Sequence, residues 1–95
     1  MAKFTVGFTK SASKQLEKLD RAQKDLILDW TEEVLEGCEN PRSVGESLTK
    51  ELSKYWRYRV GHYRLLAEIR DNDVLILVAH VGHRKNVYKD AKRSQ

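Results

Sequence analysis

The sequence predicts an α+β fold: an N-terminal strand, an antiparallel helical hairpin, then a three-stranded antiparallel meander, with the helices packed on one sheet face. Three observations predict it. Apolar residues recur at helical spacing from Ala12 to Val34, whereas apolar and polar residues alternate from Tyr55 onward. Breaker-rich stretches around Pro41 and Gly45 and at Asp71-Asn72-Asp73 separate these regions and divide the second. Helices followed by a run of strands suit a layered α+β arrangement.

Each element has its own reason. Phe4, Val6 and Phe8 in KFTVGF stand at period two, which gives residues 3–8 one apolar face and reads as a strand. Thr9 offers an N-cap to a short helix whose buried stripe is Ala12, Leu16 and Leu19. Asp20, with Gln23 three residues on, resembles a capping box, and Ala22, Leu26, Ile27, Trp30 and Val34 form the stripe of a longer helix. Gly37 suits its end, and CENPRSVGES, residues 38–47, reads as a surface loop. YWRYRVGHYRLLAEIR predicts a hairpin turning at Val60-Gly61, and RDNDVLILVAHVG a return through the Asp71-Asn72-Asp73 turn. Val74 to Val81 is apolar at both parities, so that strand is expected inside the sheet. The tail KDAKRSQ reads as a short helix or as disordered.

Length and composition narrow the function. The 95 residues suffice for one modest core, so residues 1–95 read as a single domain. MAKFTVGFTK lacks the apolar run of a signal peptide, and no stretch approaches the roughly 18 apolar residues of a membrane span, so a cytoplasmic location without membrane association is expected. Cys38 is the only cysteine and the three histidines lack ligand spacing, so neither disulfide nor metal is implied; no glycine-rich phosphate loop calls for a cofactor. Residues 1–49 carry seven basic against nine acidic side chains, and residues 50–95 eleven against five. The positive field is thus concentrated in the strand region, where it would draw a polyanion.

A two-residue turn at Val60-Gly61 sets Arg57 opposite Arg64 and Arg59 opposite His62. Alternation then places Trp56, Tyr58, Tyr63, Leu65, Ala67 and Ile69 on the helix-facing side, and Arg57, Arg59, His62, Arg64, Leu66 and Glu68 on the other. Like charges face to face are unfavourable, so either they splay into water with Glu51 and Glu68 nearby or an anion compensates them. If the second turn is centred on Asn72-Asp73, His62 falls opposite His83, and a turn at Asp71-Asn72 shifts that pairing by two; in either register His83 shares the face of Arg64. Gly82 would let Arg84 swing to that surface, and Tyr88 follows closely. Such a face would bind a phosphodiester and stack a base. His80, on the helix-facing parity, reads as a structural histidine and His62 as a solvated turn residue. His83 is the candidate for proton transfer.

Two strings carry a family resemblance. RVGHYRLL, residues 59–66, matches the R-x-G-x-Y-R hairpin, and VGHRKNVY, residues 81–88, the V-G-H-R-x-x-V-Y ending, of the RelE/ParE family of bacterial toxins. With LTKEL before them, the chain resembles that family over most of its length, which implies the RelE-like fold. The RelE branch implies a ribosome-dependent endoribonuclease that enters the A site and cuts mRNA by attack of a 2′-hydroxyl on the adjacent phosphate. The resemblance assigns catalytic roles to Arg64, His83, Arg84 and Tyr88, with Arg64 and Arg84 stabilising the scissile phosphate and Tyr88 orienting a base. RNA binding falls to Lys50, Lys54, Arg57, Arg59 and Lys85. Where some members carry lysines early in the second strand, this chain has Tyr55, so the general base stays open between Lys50, Lys54, Tyr55, Glu51 and His83. Ala67 stands at a position often aromatic in the family. The resemblance also implies a cognate acidic, RelB-like antitoxin, the ribosome and mRNA as partners, and contact with operator DNA only through the antitoxin complex. The alternatives are a ParE-like poison of DNA gyrase and a non-catalytic basic module that binds nucleic acid.

Overall fold

The computed structural model describes residues 2–93; the expectation for the tail at Ser94 and Gln95 lies outside them. The elements are β1 (Thr5–Phe8), α1 (Lys10–Glu17), α2 (Arg21–Trp30) continuing into a π-helical turn (Thr31–Leu35), β2 (Glu46–Ser47), a 3₁₀ turn (Lys50–Leu52), β3 (Trp56–Val60), β4 (Tyr63–Arg70), β5 (Leu75–His83) and α3 (Val87–Arg93). The strands form one mixed sheet in the order β1-β5-β4-β3-β2. The first pair is parallel and the others antiparallel.

Both predicted caps form. Thr9 Oγ1 accepts from Ala12 N at 3.1 Å and Asp20 Oδ1 from Gln23 N at 2.9 Å, each satisfying an amide that the first helical turn leaves unpaired. Ala12, Leu16, Ile27 and Leu35 bury against Tyr58, Val60, Leu65, Ala67, Ile76 and Val78, forming the main core between helices and sheet. The expected α2 stripe is shifted: Leu26 is 47 % exposed, while Ile27 and Leu35 are fully buried. The π turn, in which Glu36 N donates to Thr31 O at 2.9 Å, adds a residue to the helical repeat and turns the apolar side. Gly37, at φ 80, ends the element as expected.

Two departures change the sheet. The first hairpin turns at Gly61-His62, so Val60 pairs with Tyr63, Tyr58 with Leu65 and Arg59 with Arg64. The shift is two residues, which preserves the predicted faces but replaces the expected Arg57–Arg64 opposition by Arg59–Arg64. The second departure is a bulge in β5: Ala67 pairs with Val78 and Leu66 with His80, leaving Ala79 unmatched. An extra residue reverses the parity of all that follows. His80 therefore lies on the face of Leu66, opposite to the predicted one, and His83 pairs with Tyr63 rather than His62.

The face away from α1 and α2 is also partly covered. The 3₁₀ turn and α3 lay Leu52, Val87 and Ala91 over Tyr55, Leu66 and Ala79 as a second, smaller core. Thus β2 forms at the end of the stretch read as a loop, the 3₁₀ turn forms in LTKEL just after it, and α3 runs from Val87 into the tail.

Candidate nucleic-acid interface

The cationic face grows from three strands. Arg57 and Arg59 project from β3 and Arg64 from β4, where Gly82 lies opposite on β5. Gly82 leaves room for α3 to begin beside it: a Cβ there would stand 3.2 Å from Val87 Cβ. That close approach carries Tyr88 to the arginines. Arg57 Nη1 donates to the Tyr88 hydroxyl at 3.1 Å, and Arg57 Nη2 to Glu46 Oε1 at 2.6 Å. Arg59 Nη2 reaches the same Glu46 oxygen at 3.0 Å.

The two arginines differ in their surroundings. Only 17 % of the Arg57 side chain is exposed, against 58 % for Arg59. Arg57 Nε is buried without a hydrogen-bond partner among the described residues. Burial acts to lower the pKa of Arg57, and the bonds from Glu46 and Tyr88 more than reverse it, so the guanidinium stays charged. The hydrogen bond from Arg57, followed by the charges of Arg57 and Arg59, holds the Glu46 carboxyl below its ordinary range. Glu46 was not singled out from sequence because the loop reading concealed its pairing; in β2 it lies directly opposite Arg57.

At the other end, Arg64 Nη1 donates to the carbonyls of Gly61 and Tyr63 at 3.0 and 2.9 Å, which lays the guanidinium along the hairpin turn. Arg84 N donates to His62 O at 2.8 Å and Asn86 N to His83 O at 2.9 Å. These bonds tie the end of β5 to the hairpin and turn the chain into α3, leaving Arg84 and Lys85 exposed at the rim. Arg64 and Arg84 take no part in the ion pairs formed among the described residues.

His83 does not share the face of Arg64; the bulge at Ala79 places it beside Tyr63. Its ring lies edge-on to Tyr63 with centroids 5.8 Å apart and stacks near His62 at 6.3 Å. His83 Nδ1 accepts from Lys85 N at 3.2 Å, which leaves the proton of the neutral ring on Nε2. Partial desolvation, then the charges of Arg84, Lys85, His62 and Arg64, lower the pKa of His83 below that of a free imidazole. Tyr55 is buried at 6 % exposure with its hydroxyl 3.3 Å from His80 Nε2, so it faces inward as part of the smaller core. Lys50, at φ 55, lines a groove with Leu48, Leu52, Tyr88 and Lys92. Lys54 lies 5.1 Å from the centroid of the Tyr55 ring and borders a different groove with Arg42 and Trp56. The structure therefore joins Arg57, Arg59, Arg64 and Tyr88 on one surface, with Arg84 and Lys85 at its rim and Lys50 beside Tyr88.

Comparison with known proteins identifies the family. Residues 6–88 match the family described as ParE toxin of type II toxin-antitoxin system, parDE. Toxin RelG of Mycobacterium tuberculosis is 31 % identical over 86 residues, covering 90 % of this chain and 97 % of RelG. The RelBE2 toxin–antitoxin complex of M. tuberculosis contains a chain of the same fold, with TM-score 0.79, 32 % identity and coverage of 88 % of this chain and 94 % of that one. The isolated E. coli RelE toxin superposes with TM-score 0.67 at 26 % identity, covering 98 % of both chains. The chain belongs to the RelE/ParE superfamily of toxins from type II toxin–antitoxin systems, as a RelE-like member. No helix among its described residues is long and apolar enough to cross a membrane.

Proposed function

We propose that this toxin is a ribosome-dependent endoribonuclease that cleaves mRNA in the A site and so inhibits translation. The observation that carries the reading is the Tyr88 hydroxyl held 3.1 Å from Arg57 on the face that also presents Arg59 and Arg64. In the reaction, the 2′-oxygen forms a bond to the adjacent phosphorus, the bond from phosphorus to the 5′-oxygen breaks, and a 2′,3′-cyclic phosphate and a 5′-hydroxyl result. Arg64 and Arg84 stabilise the charge that develops on the non-bridging oxygens. The Tyr88 hydroxyl accepts from Arg57, so its own proton is available to the leaving 5′-oxygen. His83, turned towards Tyr63, supports the hairpin and the Arg84 segment at the rim rather than the phosphate. The base that takes the 2′-hydroxyl proton is left unassigned.

The same surface suits a cognate acidic, RelB-like antitoxin that would cover the arginines, with operator DNA reached only through that complex. The description of the matching family as ParE toxin favours a second reading, a ParE-like gyrase poison. Primer extension on mRNA held in ribosomes with an empty A site separates the readings. Cleavage at the A-site codon only on ribosomes, with Arg84→Ala and Tyr88→Phe each slowing it by about 100-fold or more, supports the nuclease. Uncut mRNA in a preparation that instead traps gyrase on cleaved DNA would establish the second reading. Binding of nucleic acid without either activity would leave a non-catalytic basic module.

A further inference from the structure

We infer that Glu46 occupies, within the free chain, a phosphodiester-binding site formed by Arg57 and Arg59, and that RNA must displace it. The inference rests on the nuclease reading for its biological setting. Arg57 Nη2 and Arg59 Nη2 converge on one carboxylate oxygen, at 2.6 and 3.0 Å. Two guanidinium groups about one anionic oxygen are also the arrangement that suits a phosphate, whose oxygens accept forked N–H pairs. The backbone aims the carboxylate there, because Glu46 pairs with Arg57 across β2 and β3. Gly45, at φ 84, lets β2 approach the backbone of Arg57 where a side chain would not fit.

Exchange is physically accessible. The Glu46 side chain is 55 % exposed and β2 is two residues long, so its carboxylate can turn into water while the strands stay paired. Exposed ion pairs are weak, whereas an RNA phosphate arrives with neighbouring phosphates that meet Arg64 and Arg84. The Tyr88 hydroxyl, on the other Nη of Arg57, stays in place during the exchange. Glu46 thus screens the cationic face until a polyanion covers enough of it to outcompete one carboxylate, which raises selectivity for an extended backbone over isolated anions.

The test is binding of a fluorescent single-stranded RNA of about 12 nucleotides to the free chain and to Glu46→Gln, each checked for a cooperative thermal melt. Glu46→Gln should bind about threefold to tenfold tighter at low salt. Its log K against log salt should steepen by about 0.7. Both gains should vanish when Arg57→Ala or Arg59→Ala is added. Equal or weaker binding by Glu46→Gln, or a gain that survives loss of both arginines, overturns the inference. If the variant fails to fold, the wild-type Glu46 carboxyl carbon is followed by NMR as RNA is added; a resonance that does not move at saturation is equally decisive against it. On ribosomes, Glu46→Gln should lower KM with little change in kcat. Failure of the wild type to cut there would refute the nuclease reading while the RNA-binding comparison still decides the role of Glu46.

Discussion

His80 shows how one residue can be identified and still be placed wrongly. It is 4 % exposed, with Nε2 3.3 Å from the Tyr55 hydroxyl and Nδ1 buried without a partner among the described residues. Burial, followed by the charge of Lys54, lowers its pKa, and Asp90 opposes them. Below pH 6.5 the unfolded chain therefore binds a proton that the folded chain resists. Stability is present above that pH and is lost as the pH falls from 6.5 towards the lower folded value. Thermal melts at pH 7.5 and 5.0 should show a lower Tm at the acid pH. His80→Leu should reduce that dependence, leaving the part that belongs to His83, whose pKa is lowered in the same direction; an unchanged profile would mean that the His80 ring does not contribute to it. Tyr58 gives a second test at this scale. Fully buried, it donates to Pro41 O at 2.6 Å, and burial keeps its hydroxyl protonated far above the usual range. Tyr58→Phe would leave that carbonyl unpaired and should cost about 1–3 kcal/mol in urea or thermal melts. Alternation alone identified Tyr58 as core-facing, but its partner lies in an irregular loop whose path no periodicity describes.

Among the elements, capped helices and alternating strands were legible because each is specified by residues near in sequence. Thr9 with Ala12, Asp20 with Gln23, and the alternation of Trp56 with Tyr58 needed nothing distant. The bulge was concealed for a physical reason: Leu75 to Val81 is apolar at both parities, so moving one residue out of register breaks no visible pattern. That hidden residue, Ala79, separated His83 from Arg64 and brought His80 opposite Leu66, on the face away from α1 and α2. Nor could β2 be read, since two residues carry no period and their pairing depends on Gly45. Gly45 has φ 84, and an added Cβ would collide with Arg57 O and the Trp56 indole. Gly45→Ala should therefore destabilise the protein by about 2 kcal/mol or more and release Glu46 from the arginines. Melting should show the loss, and a melt that matches wild type would show that β2 does not need the left-handed backbone.

The whole molecule distributes its charges unevenly about one sheet. The cationic residues named for function all follow residue 49, in or beside β3, β4, β5 and α3, whereas Asp25, Asp29, Glu32, Glu33 and Glu36 lie along α2 and its π turn. Arg59 directly opposite Arg64 adds local repulsion, which the helical core must offset if the same face is to hold RNA phosphates. Salt should consequently act with opposite signs on folding and binding. Raising ionic strength from about 0.01 M to about 0.1 M shortens the screening length from about 30 Å to about 10 Å. The free chain, with net charge +4, should then melt at a higher temperature because its self-repulsion weakens. RNA affinity should fall over the same range, with log K against log salt declining at a slope of about −2 to −3 if Arg57, Arg59, Arg64 and Arg84 each neutralise one phosphate. Replacing any one of them should flatten the slope by about 0.7. A slope near zero would mean that this face does not meet the RNA backbone, and a slope unchanged by Arg64→Ala would move the contact elsewhere on the molecule.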